Sequence, residues 1–325
     1  FPVGASILKI NGNTASAIIQ KIIDNTSGED RAYRLKMGAD YTMFAFVFGA
    51  YYELGQTTSV EYQFENQTFK KDIPTVTFAN LMEIAKNRKQ SNVKKTETIQ
   101  DFSLILKPEI ATAILEIRFF SDKAKFDSFL EESFQAINDK KIKKLIIDIR
   151  ENGGGNSALG DELLRYLSPK PFRQFDQTTI KYSQLQKNVY KCYCESDTLY
   201  CTTYDYINAK ENGSVEVLPT KDMIMPYLKS KQFSGKVCLL TSTRTFSSAM
   251  NFAQAFKHYK IGKIIGEETG GWIVSYGDKI TTSLPVSKLA LSISTKKFYT
   301  IGATDKDKHG VKPDIQTNKE EALDY

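Results

Sequence analysis

The stretch Leu145-Ile-Ile-Asp-Ile-Arg-Glu-Asn-Gly-Gly-Gly-Asn156 decides the fold class. Residues 145–149 read as a continuous apolar strand, the pattern of a strand covered on both faces rather than one. Three glycines then break the chain, and Leu159, Leu163, Leu164 and Leu167 recur at helical spacing. Strand, glycine loop and helix make one α/β unit, and the flanking sequence repeats the alternation. Upstream, residues 113–119 form a strand. Ser121 or Asp122 caps a helix with Phe126, Phe129, Leu130, Phe134 and Ile137 along one side. Downstream, after an irregular insertion over about 170–232, residues 237–240 make another buried strand. It turns sharply into a helix with Ala249, Phe252, Ala253 and Phe256 in register, and residues 263–265 and 289–294 supply further strands. Such alternation implies an α/β layer structure with right-handed crossovers. Residues 101–325 are therefore expected to be one core domain, with the insertion placed to overhang its cleft.

Residues 1–100 follow a different pattern. An apolar alternation over residues 7–10 meets the Asn11-Gly12 turn. Thr14 then caps a helix carrying Ile18, Ile19, Ile22 and Ile23. Residues 33–56 are rich in Tyr and Phe without a clear period. Strands are expected near 59–64 and 75–78, and the Lys-rich residues 86–100 read as an exposed connection.

Composition narrows the function classes. Charged residues are 25% and apolar residues 41% of 325, ordinary for a soluble globular chain. The net charge of +6 is scattered; Lys140-Lys141 and Lys143-Lys144 read as solvated ends of a strand. No run interleaves aromatics with arginines, so a nucleic-acid partner is not expected. The longest apolar run, residues 43–52, is about half of what spans a bilayer, so no transmembrane segment is expected. Phe1 reads as a processed or trimmed start. Of four cysteines, Cys192, Cys194 and Cys201 cluster in the insertion and Cys238 lies in a strand pattern. Neither His258 nor His309 is near the cluster, so no metal site and no cofactor are expected. A disulfide from Cys201 to Cys192 or Cys194 is expected instead, which suits an extracytoplasmic location, periplasmic, cell-surface or secreted.

Two turns carry chemistry. In Thr241-Ser-Thr-Arg-Thr-Phe-Ser-Ser-Ala-Met250, Ser247 falls at the first turn of a helix, at the positive end of its dipole. Free N–H groups beside it can stabilise an oxyanion; equally, a serine there can simply cap the helix. The glycines at 153–155 let backbone amides approach a ligand closely. Asp148 and Arg150 are expected to buttress this loop rather than touch substrate.

Four segments in order, DIRENGGGN (148–156), TSTRTFSSAMNFAQAFKH (241–258), IIGEETGG (264–271) and HGVKPDI (309–315), resemble the C-terminal processing and tricorn-type serine peptidases. The resemblance spans about 111–170 and 236–317; the first twenty residues look more loosely like the end of that family's PDZ-like module. It implies a crotonase-like (ClpP/crotonase) α/β core behind a partial PDZ-like module, and hydrolysis of polypeptides through an acyl-enzyme. Carried over by position, Ser247 matches the nucleophile. The N–H groups of Ser248 and of Gly153 or Gly154 match the oxyanion hole, and residues 267–271 match the segment edging the site.

The processing proteases place a lysine about 25 residues after the serine, where this chain has Trp272. The resemblance is therefore to the tricorn-like branch, in which an acid orients a histidine base. Asp307 falls at the acid's position, with Asp305 a nearby rival. His258 lies too far along its helix, and His309 is not where the family carries its base. That base is expected upstream of Phe1, in a preceding segment, a separate piece or a partner. The alternatives are a silent relative that binds peptides or an apolar ligand, or acyl-CoA chemistry on the same fold, for which no basic cluster is evident.

Overall fold

The computed structural model describes residues 1–91, 100–220 and 222–323. The chain divides into two compact units, Phe1–Gln100 and Asp101–Tyr325.

In the first unit, β1 (Ser6–Ile10), β2 (Asn13–Thr14), β3 (Thr57–Phe64) and β4 (Gln67–Pro74) form an antiparallel sheet in the order β2-β1-β3-β4. Its helices are α1 (Ala15–Asp24), α2 (Arg31–Gly38), α3 (Tyr41–Tyr51) and α4 (Phe78–Ser91). Thr14 caps α1 as expected, its hydroxyl accepting from the Ala17 N–H. The aperiodic residues 33–56 are mostly the helices α2 and α3. Their signals are polar: Asp30 Oδ1 accepts from the N–H groups of Ala32 and Tyr33, and Asp40 Oδ1 from that of Thr42. The apolar residues of α3 run round the whole helix, which hides its period. The strand expected at 75–78 is not there. Its place in the sheet belongs to β4, an exposed polar edge strand that turns back from β3 at Glu65-Asn66, both with positive φ. Residues 86–91 belong to α4 rather than to a connection, and residues 92–99 lie outside the described residues.

The second unit starts with β5 (Phe102–Lys107), β6 (Thr112–Ile117), α5 (Lys123–Asp139), β7 (Lys144–Asp148) and α6 (Ser157–Leu167). Then come β8 (Phe175–Lys181), α7 (Gln184–Ser196), α8 (Cys201–Asn208), β9 (Val215–Leu218), β10 (Lys236–Thr241) and α9 (Ser248–His258). It closes with β11 (Lys263–Gly266), β12 (Val274–Ser283), β13 (Ala290–Thr300) and β14 (Ile315–Gln316). One sheet runs β14-β11-β10-β7-β6-β5, parallel except for β5. The fold is thus mixed α/β, with parallel and antiparallel sheets.

The main core lies between this sheet and α5, α6 and α9. Leu115, Ile147 and Leu239 of the strands meet Phe126, Leu163, Phe252 and Phe256 of the helices, all fully buried. Each such side chain contributes about 1.5–3 kcal/mol relative to exposure. The sheet's other face is covered more thinly: Leu240, Ile265 and Ala322 cluster there with part-buried Ile146 and Cys238. Burial, with Asp314 a smaller influence, pushes the Cys238 thiol up to about 11.

The insertion is not irregular. Its β8 and β9 extend the β12–β13 hairpin into a second, antiparallel sheet, β12-β13-β8-β9. Its helices α7 and α8 are joined by a Cys194–Cys201 disulfide, leaving Cys192 and Cys238 as free thiols. Glu216 on β9 accepts from the hydroxyls of Tyr182 (2.7 Å) and Tyr206 (2.8 Å) and pairs with Lys210 at 2.7 Å. Lys210, then the two tyrosines, hold its carboxyl at about 2, below its ordinary 4.5. A folded-state value below the unfolded one gives stabilisation that is complete above about 4.5 and lost as pH falls through about 2. Glu216→Gln should therefore melt below the parent at neutral pH, the gap closing towards pH 2, as thermal unfolding across that range will read.

Candidate active site

The parallel strands deliver two loops to one place. In β7 and β10, Leu240 stands beside Asp148, so the chain leaves both strands at the same level of the sheet. Hydroxyl groups then lace the loops together. Thr245 Oγ1 donates to the Ile149 carbonyl at 2.9 Å and accepts from the Ser242 N–H at 3.0 Å. Ser242 Oγ donates to the Arg150 carbonyl at 2.5 Å, and the Phe246 N–H donates to that of Asn152 at 3.0 Å. Ser248 Oγ donates to the Gly155 carbonyl at 2.6 Å. Thr245 and Ser242 are fully buried, so each bond replaces one that water would otherwise make. Asp148 and Arg150 brace the loop from behind. Arg150 Nη2 meets Asp148 Oδ2 at 2.6 Å, Nε meets Oδ1 at 2.9 Å, and Nη1 donates to the Lys319 carbonyl.

This lacing holds Ser247 at φ +52° and ψ −126° in the N-cap position of α9. A non-glycine residue there stores about 1–3 kcal/mol of backbone strain, and such strain clusters at functional sites. The Ser247 side chain makes no capping bond, and the residue is exposed. A simple cap would show an extended backbone and a hydroxyl accepting from the helix; Ser247 shows neither. Gly154, at φ +110°, lies directly against it: a Cβ there would stand 2.7 Å from Ser247 Cβ and 3.2 Å from Oγ. Gly271, in the loop after β11, closes the other side, where a Cβ would stand 3.5 Å from the Ser247 nitrogen.

The neighbouring amides differ. The Gly154 N–H donates to Asn152 Oδ1 at 2.8 Å and is occupied. Among the described residues, the N–H groups of Gly153 and Ser248 have no hydrogen-bond partner. Ser248 N–H also lies at the positive end of the α9 dipole.

Asp307 sits in a turn, its Oδ2 accepting from the N–H (2.7 Å) and hydroxyl (2.8 Å) of Thr304. These bonds first, then His309, hold its carboxyl below the usual carboxylate range. His309 Nε2 is 3.5 Å from Asp307 Oδ1, while its Nδ1 is 2.7 Å from the Gly310 carbonyl. The Gly310 contact orients the ring in its own turn beside Asp307. The His309–Val311 turn is sewn to residues 268–273: the Ile273 N–H donates to the His309 carbonyl, Gly310 N–H to Glu268, and Val311 N–H to Thr269. His258 ends the eleven-residue α9, about 16 Å along its axis from Ser247. Asp305 pairs with Lys297 and Tyr299 at the surface.

A family model described as peptidase family S41 matches residues 111–317, most of the chain. The chain belongs to peptidase family S41. It is a serine peptidase by that membership. The solved structure of mature CPAF complexed with lactacystin matches at a TM-score of 0.62 and 15% identity, over 99% of this chain and 75% of that one. A second structure of mature CPAF matches at 0.61 and 14%, over 99% and 74%. At such identities the likeness is one of fold. No curated protein sequence matches the chain.

In this S41 chain Ser247 opens onto a cavity of 480 Å³ between the carboxyl ends of the parallel strands and the antiparallel sheet. Its walls combine the start of α6, residues 173–178, 218–220, 222 and 224 of the insertion, the start of α9, and β12 with β13. Sequence reasoning missed Gln174 and Asn251, which line it, and Asn152, whose side chain occupies the Gly154 amide. Asn251 was legible as the position one turn beyond Ser247; Gln174 had no signal, because the insertion read as irregular.

Two substitutions test the lacing. Thr245→Val keeps the shape but strands the buried Ser242 N–H, while the Ile149 carbonyl keeps the Asn152 N–H, and should cost about 1–3 kcal/mol in denaturant unfolding. Gly154→Ala should cost a similar amount through its positive φ, about 1–3 kcal/mol, and in addition displace Ser247.

Proposed function

We propose that this chain hydrolyses polypeptides as a serine endopeptidase, with Ser247 Oγ as the nucleophile of an acyl-enzyme mechanism. The observation that carries this reading is the strained, uncapped Ser247 held against Gly154 at the mouth of the cavity. A base takes the Ser247 proton as Oγ attacks the scissile carbonyl. The N–H groups of Ser248 and Gly153 receive the oxyanion; Gly154, the other glycine candidate, contributes room rather than its amide. Collapse of the tetrahedral intermediate expels the amine, and water then releases the acyl group by the same steps. Removing one such donor typically costs about 10²–10³ in rate.

The base is a histidine from outside residues 1–325, oriented by Asp307, in the manner of the tricorn-like branch. Trp272 at the lysine position and the distance of His258 along α9 support this over an internal base. An ionised Asp307 at neutral pH suits an acid that steadies an imidazolium. The core is read as crotonase-like and residues 1–100 as a partial PDZ-like module with a connecting region, β1 and β2 falling within the first twenty residues that carry that likeness. The Cys194–Cys201 disulfide supports an extracytoplasmic location.

A fluorophosphonate probe applied to the full-length protein should label Ser247, and Ser247→Ala should abolish labelling and lower peptide hydrolysis by several orders of magnitude. Labelling or cleavage that persists in the alanine variant refutes the assignment. Labelling with no turnover of any peptide would leave a reactive serine on a binding protein and refute the hydrolytic reading.

A further inference from the structure

Three stretches of the chain carry the Asn-x-Ser/Thr pattern of N-linked glycosylation: Asn25-Thr26-Ser27, Asn66-Gln67-Thr68 and Asn212-Gly213-Ser214. The pattern is short and recurs by chance. What separates the three is where the folded chain spends each asparagine amide, and whether the fold has room for a sugar on it.

Asn25 closes the C-terminal end of α1. Its Nδ2 donates to the Lys21 carbonyl at 2.8 Å, and its Oδ1 accepts from the Tyr51 hydroxyl at 2.6 Å. The middle residue, Thr26, is buried, and its hydroxyl donates to the Ile22 carbonyl at 2.8 Å. A sugar on the Asn25 nitrogen would have to push this cap aside. Asn212, in the turn before β9, is exposed, but its Nδ2 donates to Gln184 Oε1 at 3.1 Å. The Ser214 hydroxyl of the same triplet donates to the Glu211 carbonyl at 2.6 Å.

Asn66 is placed differently. It is the second residue of the two-residue loop that joins β3 to β4, where Phe64 pairs with Gln67 and Glu65 and Asn66 have φ of +48° and +63°. Two left-handed residues make the tight hairpin turn in which asparagine is favoured, and they set the loop beyond the end of the sheet. Asn66, Gln67 and Thr68 are all exposed. Among the described residues, neither the Asn66 side-chain amide nor the Thr68 hydroxyl has a hydrogen-bond partner. Both groups that define the triplet are therefore free, and a bulky polar substituent at this tip displaces nothing.

We propose that Asn66 is the acceptor of an N-linked glycan. Asn66 Nδ2 forms a bond to the anomeric carbon of an oligosaccharide carried on a lipid pyrophosphate. The bond from that carbon to the pyrophosphate oxygen breaks, the lipid pyrophosphate leaves with the electron pair, and the amide gives up one proton to the transferring enzyme. The proposal rests on the extracytoplasmic reading, because such transfer takes place on secreted and surface chains, and it is independent of the role of Ser247.

The full-length protein is produced behind a secretion leader in a eukaryotic host that adds N-linked glycans. It is then treated with peptide-N-glycosidase, which cuts the bond to the sugar and leaves an aspartate where the acceptor stood. Peptide mass spectrometry should find that aspartate at position 66, and Asn25 should stay bare. Asn66→Gln and Thr68→Ala should each lose the glycan at this position, and Thr68→Ser should keep it. Thr68→Ala leaves both turn residues in place, so its loss reads the acceptor pattern rather than the hairpin. A bare Asn66 in the secreted protein, a glycan there that survives Thr68→Ala, or a glycan on Asn25 or Asn212 in its place overturns the assignment. The same digestion of the chain from its natural source keeps the two readings apart. A glycan in the secretory host but a bare chain from the natural source overturns the extracytoplasmic reading and, with it, the modification in the cell.

Discussion

Everything at the candidate site depends on the side-chain hydroxyls that tie the β10–α9 turn to the loop after β7. Thr245, Ser242 and Ser248 each reach a carbonyl across the gap, to Ile149, Arg150 and Gly155. Parallel strands bring such loops close but do not register them at atomic scale, because their ladder ends at the last strand residue. The hydroxyls continue that registration beyond the sheet. Without them, the positive φ of Ser247 would have no structure to enforce it, and the turn could relax to an ordinary capped helix start. The same lacing occupies the Gly154 amide through Asn152, which distinguishes the two glycines chemically although they are adjacent in sequence.

Strain, burial and electrostatics agree at this point. Backbone strain at Ser247 turns its hydroxyl away from the helix it would otherwise cap. The closeness of Gly154, where a Cβ would press on Ser247, and of Gly271 leaves a narrow seat. The unpartnered Ser248 amide, at the positive end of the α9 dipole, is the next residue along the chain. None of these features alone separates a reactive serine from a structural one; a cap explains the position but not the dihedrals, and a tight turn explains the dihedrals but not the open amides.

How far the sequence could be read depended on which force wrote each segment. Buried strands and amphipathic helices of the second unit were legible, because β7, β10, α6 and α9 are patterned by a single apolar core. Ser247, the glycine loop and the bracing role of Asp148 and Arg150 followed from that frame. The half-exposed elements were not legible. β4 and β12 mix polar and apolar residues without strict alternation, α3 is apolar all round, and β8 gains its identity by pairing with β13, more than a hundred residues later, while β9 pairs only with β8. Gln174 was hidden for that reason. Asn152 was hidden because its role is to fill an amide rather than to react.

The second sheet carries a consequence of its own. Much of the cavity's wall comes from a stretch of chain outside the β7 and β10 loops that seat Ser247, and its strand β8 joins the outer edge of a hairpin. On the proposed role of Ser247, cutting tool and gauge are written in separate passages of the sequence. A lineage could rewrite residues 172–224, and with them the choice of what enters, while leaving the β7 and β10 loops untouched. New preferences could then arise without a pause in chemistry.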